Sequence, residues 1–127
     1  GRAEIANRYK GAVFLRIHAN GDSNPATSGI LTMCPASDNP YVPEIIGDSK
    51  RLSQLVLDQM LKSTGAKSKG IIETNKMSGI NWCKIPVTII EMGFMSNPEE
   101  DRLMQTEDYQ DKLAEGISDG VDRYFEI

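Results

Sequence analysis

Pro86-Val87-Thr88-Ile89-Ile90-Glu91 decides the fold of this chain. Proline opens the run, and β-branched residues fill it, so it reads as a strand with few polar positions. The same pattern recurs upstream. Ala12-Val13-Phe14-Leu15-Arg16-Ile17 is almost continuously apolar and predicts a second strand, one buried on both faces. His18-Ala19-Asn20-Gly21-Asp22 follows it as loop, with turn residues at Asn24-Pro25 and Ser28-Gly29.

Further out, strands and helices alternate. Gly29 to Cys34 is a strand candidate stopped by Pro35, and residues 35–48, with three prolines, read as an irregular surface segment. Ser49 can cap a helix whose Leu52, Leu55, Val56 and Met60 share one face, with Gly65 as its stop. Residues 70–74 form a weaker strand. Asn75 to Lys84 is polar and carries the only tryptophan, Trp82. Beyond Glu91, Asn97-Pro98-Glu99-Glu100 predicts a helix start with Asn97 as cap, Pro98 in the first turn and Glu100 completing a capping box. A last helix begins near Thr106, with Tyr109, Leu113, Ile117, Val121 and Tyr124 on one face. Gly116 and Gly120 lie on a neighbouring stripe and predict close packing on the sheet. Arg2 to Tyr9 reads as the tail of a helix ending near Gly11. The expected architecture is α/β: an open, twisted, mostly parallel sheet with helices on both faces, in a single domain lacking its first elements.

Composition narrows the partners. The 127 residues are 39% hydrophobic and 25% charged, an ordinary globular balance with room for a core. A net charge of −4 argues against nucleic acid and against anionic lipid surfaces. No apolar run approaches the roughly 20 residues of a membrane span. Cys34 and Cys83 make no CxxC pair and no metal-ligand spacing, and are expected as buried thiols.

Two residues carry a chemical signal. His18, the only histidine, and Glu91 each end an apolar strand. Ligands of open α/β sheets bind at the carboxyl ends of strands, so the two residues can face one cleft. Glu91, flanked by Ile90 and Met92-Gly93-Phe94-Met95, is poorly solvated, which raises a carboxyl pKa toward the range of a general base. The structural alternatives are a hydrogen-bonded histidine at a strand end and a glutamate paired with Arg16 or Lys84. Trp82 fits a sugar platform and plain core equally.

Arg2-Ala3-Glu4-Ile5-Ala6-Asn7, Phe14-Leu15-Arg16-Ile17-His18-Ala19-Asn20 and Pro86 to Asn97 occur in an order and spacing that resemble the zinc-dependent N-acetylmuramoyl-L-alanine amidases. The resemblance runs over essentially the whole chain. It implies that residues 1–127 are the C-terminal portion of an amidase catalytic domain acting on peptidoglycan, in the extracellular space or cell wall, or in the periplasm of a Gram-negative cell. It implies a Zn2+ ion held by two histidines and a glutamate, with a second glutamate as base. His18 matches one histidine ligand and Glu91 the catalytic glutamate. Asn20 and Asn81 are candidate substrate-binding residues, the latter within Ser78-Gly79-Ile80-Asn81-Trp82 as a groove wall. The remaining ligands have no counterpart here, so a missing N-terminal segment or another chain is expected to complete the site. The competing expectations are a catalytically inactive module that binds peptidoglycan or a partner, and a metal-dependent peptidase on a similar sheet.

Overall fold

The computed structural model describes residues 12–126. The helix tail expected over residues 2–9 lies outside them. Among the described residues four strands form one sheet: β1 (Phe14–Asn20), β2 (Ile30–Pro35), β3 (Ser68–Thr74) and β4 (Val87–Phe94), in the order β1-β4-β2-β3. The helices are α1 (Ile46–Thr64), the single turn α2 (Ser78–Asn81), α3 (Pro98–Met104) and α4 (Glu107–Phe125). A 3-10 turn, Pro43–Ile45, leads directly into α1.

The sheet is mostly parallel, with β1 beside β4 and β2 beside β3 in parallel register. β2 and β4 meet antiparallel, with Leu31 opposite Glu91 and Ile89 opposite Met33. β4 is a strand, as its sequence predicts, and it is covered on both faces: seven of its eight residues are buried, all but Met92. β1 departs from expectation. Ile17 is 47% exposed and the rest of the strand is half-buried, because β1 lies at the sheet edge with one neighbour among the described residues. It also runs further than the apolar run suggests. Backbone pairing with β4 carries it through His18 to Asn20, so His18 is a strand residue rather than the first residue of a loop.

Side chains alternate along a strand, so β4 feeds two layers. Ile90 joins Ile30, Leu52, Val56, Met60, Tyr109, Leu113 and Tyr124 between the sheet and the helices α1 and α4. Val87 and Ile89 join Val42, Ile45, Ile80, Cys83 and Ile85 on the opposite face, under the 3-10 turn and α2. Each fully buried aliphatic side chain contributes about 1.5–3 kcal/mol. Cys34 and Cys83 are both buried thiols.

Helix ends follow their signals with two changes. Gly65 takes the left-handed conformation that stops α1, at φ 71°. Asn97 caps α3 by accepting from the Glu100 N–H at 3.1 Å, and Thr106 caps α4. α1 begins at Ile46 rather than at a Ser49 cap, because the 3-10 turn buries Ile45 and already aims the chain. Ser49 is buried inside α1, and its hydroxyl accepts from the N–H of Val87 at 3.0 Å, fixing the start of β4. Glu100 does not close a capping box. Its carboxylate accepts from the N–H groups of Gly29 and Phe94, across the fold.

Candidate active site

β1 and β4 run side by side with Arg16 opposite Ile89 and His18 opposite Glu91. Residues two apart on a strand share a face. Arg16, His18 and Glu91 therefore emerge together on the Ile89 face, near the carboxyl ends of two parallel strands. Directly after the His18–Glu91 pair the register shifts, and Asn20 pairs with Phe94. Such bulges re-aim side chains and recur beside active sites. The two strand ends are tied beyond the bulge: Met95 N–H donates to the Asn20 carbonyl at 2.8 Å, and Asp22 N–H to the Ser96 hydroxyl at 3.0 Å.

Glu91 is 7% exposed. Its Oε1 lies 3.5 Å from His18 Nδ1, while Oε2 is buried without a hydrogen-bond partner. Burial pushes the Glu91 carboxyl pKa up, and the facing imidazole opposes that push. The upward direction is the one its apolar sequence context predicts. A buried carboxylate oxygen left unpaired costs free energy, and is retained where the oxygen has a ligand or a proton to handle. Neither Arg16 nor Lys84 is its ion-pair partner; that partner is His18. His18 is more open, at 36% side-chain exposure, with Nδ1 toward Glu91.

The asparagines divide. Asn20 closes on its own loop, Oδ1 accepting from Gly21 N–H at 2.8 Å, and its Nδ2 has no partner among the described residues. Asn81 is engaged at both ends of its amide: Oδ1 accepts from Asn39 Nδ2 at 2.9 Å, and Nδ2 donates to the Asn75 carbonyl at 2.7 Å. It holds the loop rather than presenting itself. Asn39, which no local sequence signal singles out, is 3% exposed and also receives the N–H groups of Tyr41 and Val42 through Oδ1. Trp82 is 72% exposed, which removes it from the core.

A zinc ion needs three or four donors in one place. Among the described residues no group of three histidine, cysteine or carboxylate side chains comes together. The buried, unpartnered Oε2 and the adjacent imidazole suit a metal-bound water or substrate, but these residues alone do not fit the ion. Among the described residues no helix is long and apolar enough to cross a membrane.

Comparison with known proteins gives the family and the fold. The N-acetylmuramoyl-L-alanine amidase family matches residues 1–123, and the chain belongs to that family. It is 30% identical over 98% of its length to the germination-specific N-acetylmuramoyl-L-alanine amidase of Bacillus subtilis (strain 168), of which it spans 49%. Among solved structures it is similar to an N-acetylmuramoyl-L-alanine amidase from Clostridium difficile 630, with a TM-score of 0.83 and 33% identity over 97% of this chain and 62% of that one. The catalytic domain of the amidase CwlV from Bacillus (Paenibacillus) polymyxa var. colistinus superposes with a TM-score of 0.82 at 28% identity, over 96% of this chain and 62% of that one. The chain spans less than two thirds of these curated relatives, and only 23% and 24% of two others.

Proposed function

We propose that this chain is the C-terminal portion of a cell-wall amidase catalytic domain that hydrolyses the amide between the lactyl group of N-acetylmuramic acid and L-alanine. The observation that carries the reading is Glu91: a buried carboxylate at a strand end, with one oxygen against His18 and the other unpartnered. Its raised pKa brings it toward the range in which a carboxylate accepts a proton from water near neutral pH. Glu91 takes the proton of the water that attacks the amide carbonyl, then returns it to the leaving nitrogen of L-alanine. Both transfers are needed because an unactivated amide has a poor leaving group. Asn20 offers Nδ2 to the substrate, and Asn81 shapes the groove wall by tying the turn at residues 78–81 to the Asn39 loop.

The family resemblance implies Zn2+, and we assign His18 to it as one ligand. The other ligands lie outside the described residues, in a preceding segment or another chain. The substrate sets the location: the cell wall, the extracellular space or the periplasm. An inactive binding module would have no use for the cost of burying Glu91.

The test is release of N-terminal alanine from purified peptidoglycan by a form of the protein that holds zinc near one per chain by elemental analysis. Glu91→Ala should cut turnover by about 10²–10⁴-fold. His18→Ala should instead lower the zinc content. Full turnover by the Glu91 variant would remove its assigned role, and the appearance of new amino termini other than alanine would point to a peptidase.

A further inference from the structure

We propose that Arg16 is a specificity-determining residue of this cleft: its guanidinium takes a carboxylate of the substrate peptide, carried by the second residue, the one that follows the alanine of the scissile amide. The inference rests on the amidase reading of Glu91.

Four observations carry it. Arg16 shares the face of His18 and Glu91, two positions back along β1. The side chain is half-buried, Nε is buried without a hydrogen-bond partner, and the guanidinium has no ion pair among the described residues. A partly dehydrated guanidinium with no anion beside it is a site short of its ligand. The third observation is how it is held. A Cβ at Gly79 would fall 2.3 Å from Nη1, so the absent side chain of Gly79 is what lets the guanidinium lie against α2. The segment read as a groove wall therefore seats the arginine.

The fourth is distance. Two residues of strand span about 6.6 Å, which sets the separation between the reacting centre at His18–Glu91 and the root of Arg16. In an extended peptide a carboxylate on the second residue sits about 6–7 Å from the amide nitrogen of the first, close to two residue lengths. A muramoyl peptide cut at Glu91 and running back along β1 would thus carry its second residue's α-carboxylate past the root of Arg16. The planar fork of arginine suits a carboxylate through two parallel hydrogen bonds, which a neutral carboxamide cannot accept in the same way.

The probes are N-acetylmuramoyl-L-alanyl-D-glutamate capped at its γ-carboxyl as the methylamide, and the same compound with the α-carboxyl converted to the amide. Binding is measured calorimetrically on the full chain carrying Glu91→Gln, which prevents turnover. The acid should bind roughly 10- to 100-fold more tightly than the amide, as expected of a charge-assisted pair. Adding Arg16→Gln should close the gap to about twofold or less. Gly79→Ala should narrow it too, by pushing aside the far end of a flexible side chain rather than backbone. Equal binding of acid and amide, binding of neither, or a gap that survives Arg16→Gln overturns the proposal. Alanine release by the wild-type residues is scored separately. A carboxylate preference without any release would sink the amidase reading while leaving the Arg16 site standing.

Discussion

Two carboxylates are buried among the described residues, Glu91 at 7% exposure and Glu100 at 9%, and the fold treats them in opposite ways. Glu91 keeps a bare oxygen. Glu100 accepts from Gly29 N–H through both oxygens, at 3.0 and 3.1 Å, and from Phe94 N–H at 3.0 Å. It therefore pins the entry to β2 against the end of β4, just behind the Glu91 strand end. Glu100→Ala would strand two buried backbone N–H groups. With about 1–3 kcal/mol for each orphaned donor, the loss should be roughly 2–6 kcal/mol. Urea denaturation should show a lower midpoint with an unchanged slope, and a shift below about 0.5 kcal/mol would mean water replaces the carboxylate at both donors. The burial of Glu91 was legible because its neighbours in sequence are apolar. The task of Glu100 was not, because Gly29 lies 71 positions away and the local string fits a capping box equally well. Asn39 was hidden for the same reason, its amide reaching 42 positions to Asn81.

At the scale of elements, periodicity and caps were readable and packing partners were not. Of the predicted stripe on α4, Tyr109, Leu113 and Tyr124 are buried, and Ile117 and Val121 are half-buried against the same core. Gly116 and Gly120, read as a contact with the sheet, instead meet another helix. A Cβ at Gly116 would stand 2.6 Å from Met60 Cα, and one at Gly120 2.5 Å from Val56 Cα, so α4 crosses α1 with backbone almost touching backbone. An i, i+4 pair of glycines announces a close approach but not what approaches. The magnitudes make a test. In a free helix Gly→Ala gains about 1 kcal/mol. Here the methyl has no room, and overpacking a tight contact costs about 1–3 kcal/mol before that gain is offset, more when backbone must move. Gly120→Ala should therefore lower the melting temperature, and Gly116→Ala should as well. If either raised it, the two helices would lie further apart than the structure places them.

For the whole molecule, layered α/β architecture followed from alternating strand and helix signals, but strand order did not. β1 and β4, parallel neighbours at the site, are separated by all of β2, α1, β3 and α2, and nothing local marks β4 as antiparallel to β2. What the assembled core does impose is a common direction on its weak acids. Burial raises the thiol pKa of Cys34 and Cys83 above the ordinary 9.0, and the phenol pKa of Tyr109 and Tyr124 above the ordinary 10.0. In each case the folded chain holds its proton more tightly than the unfolded chain. Stability from these groups is complete below their unfolded pKa values and is lost as pH rises through the folded ones. The melting temperature should thus fall in two overlapping stages, the first starting near pH 9 from the thiols and the second near pH 10 from the tyrosines. Replacing both cysteines by alanine should remove the first stage only, although each truncation lowers the plateau at pH 7. A melting curve flat from pH 8 to pH 11 would show that the acids already lose their protons to solvent in the native state, in conflict with thiols that are fully buried.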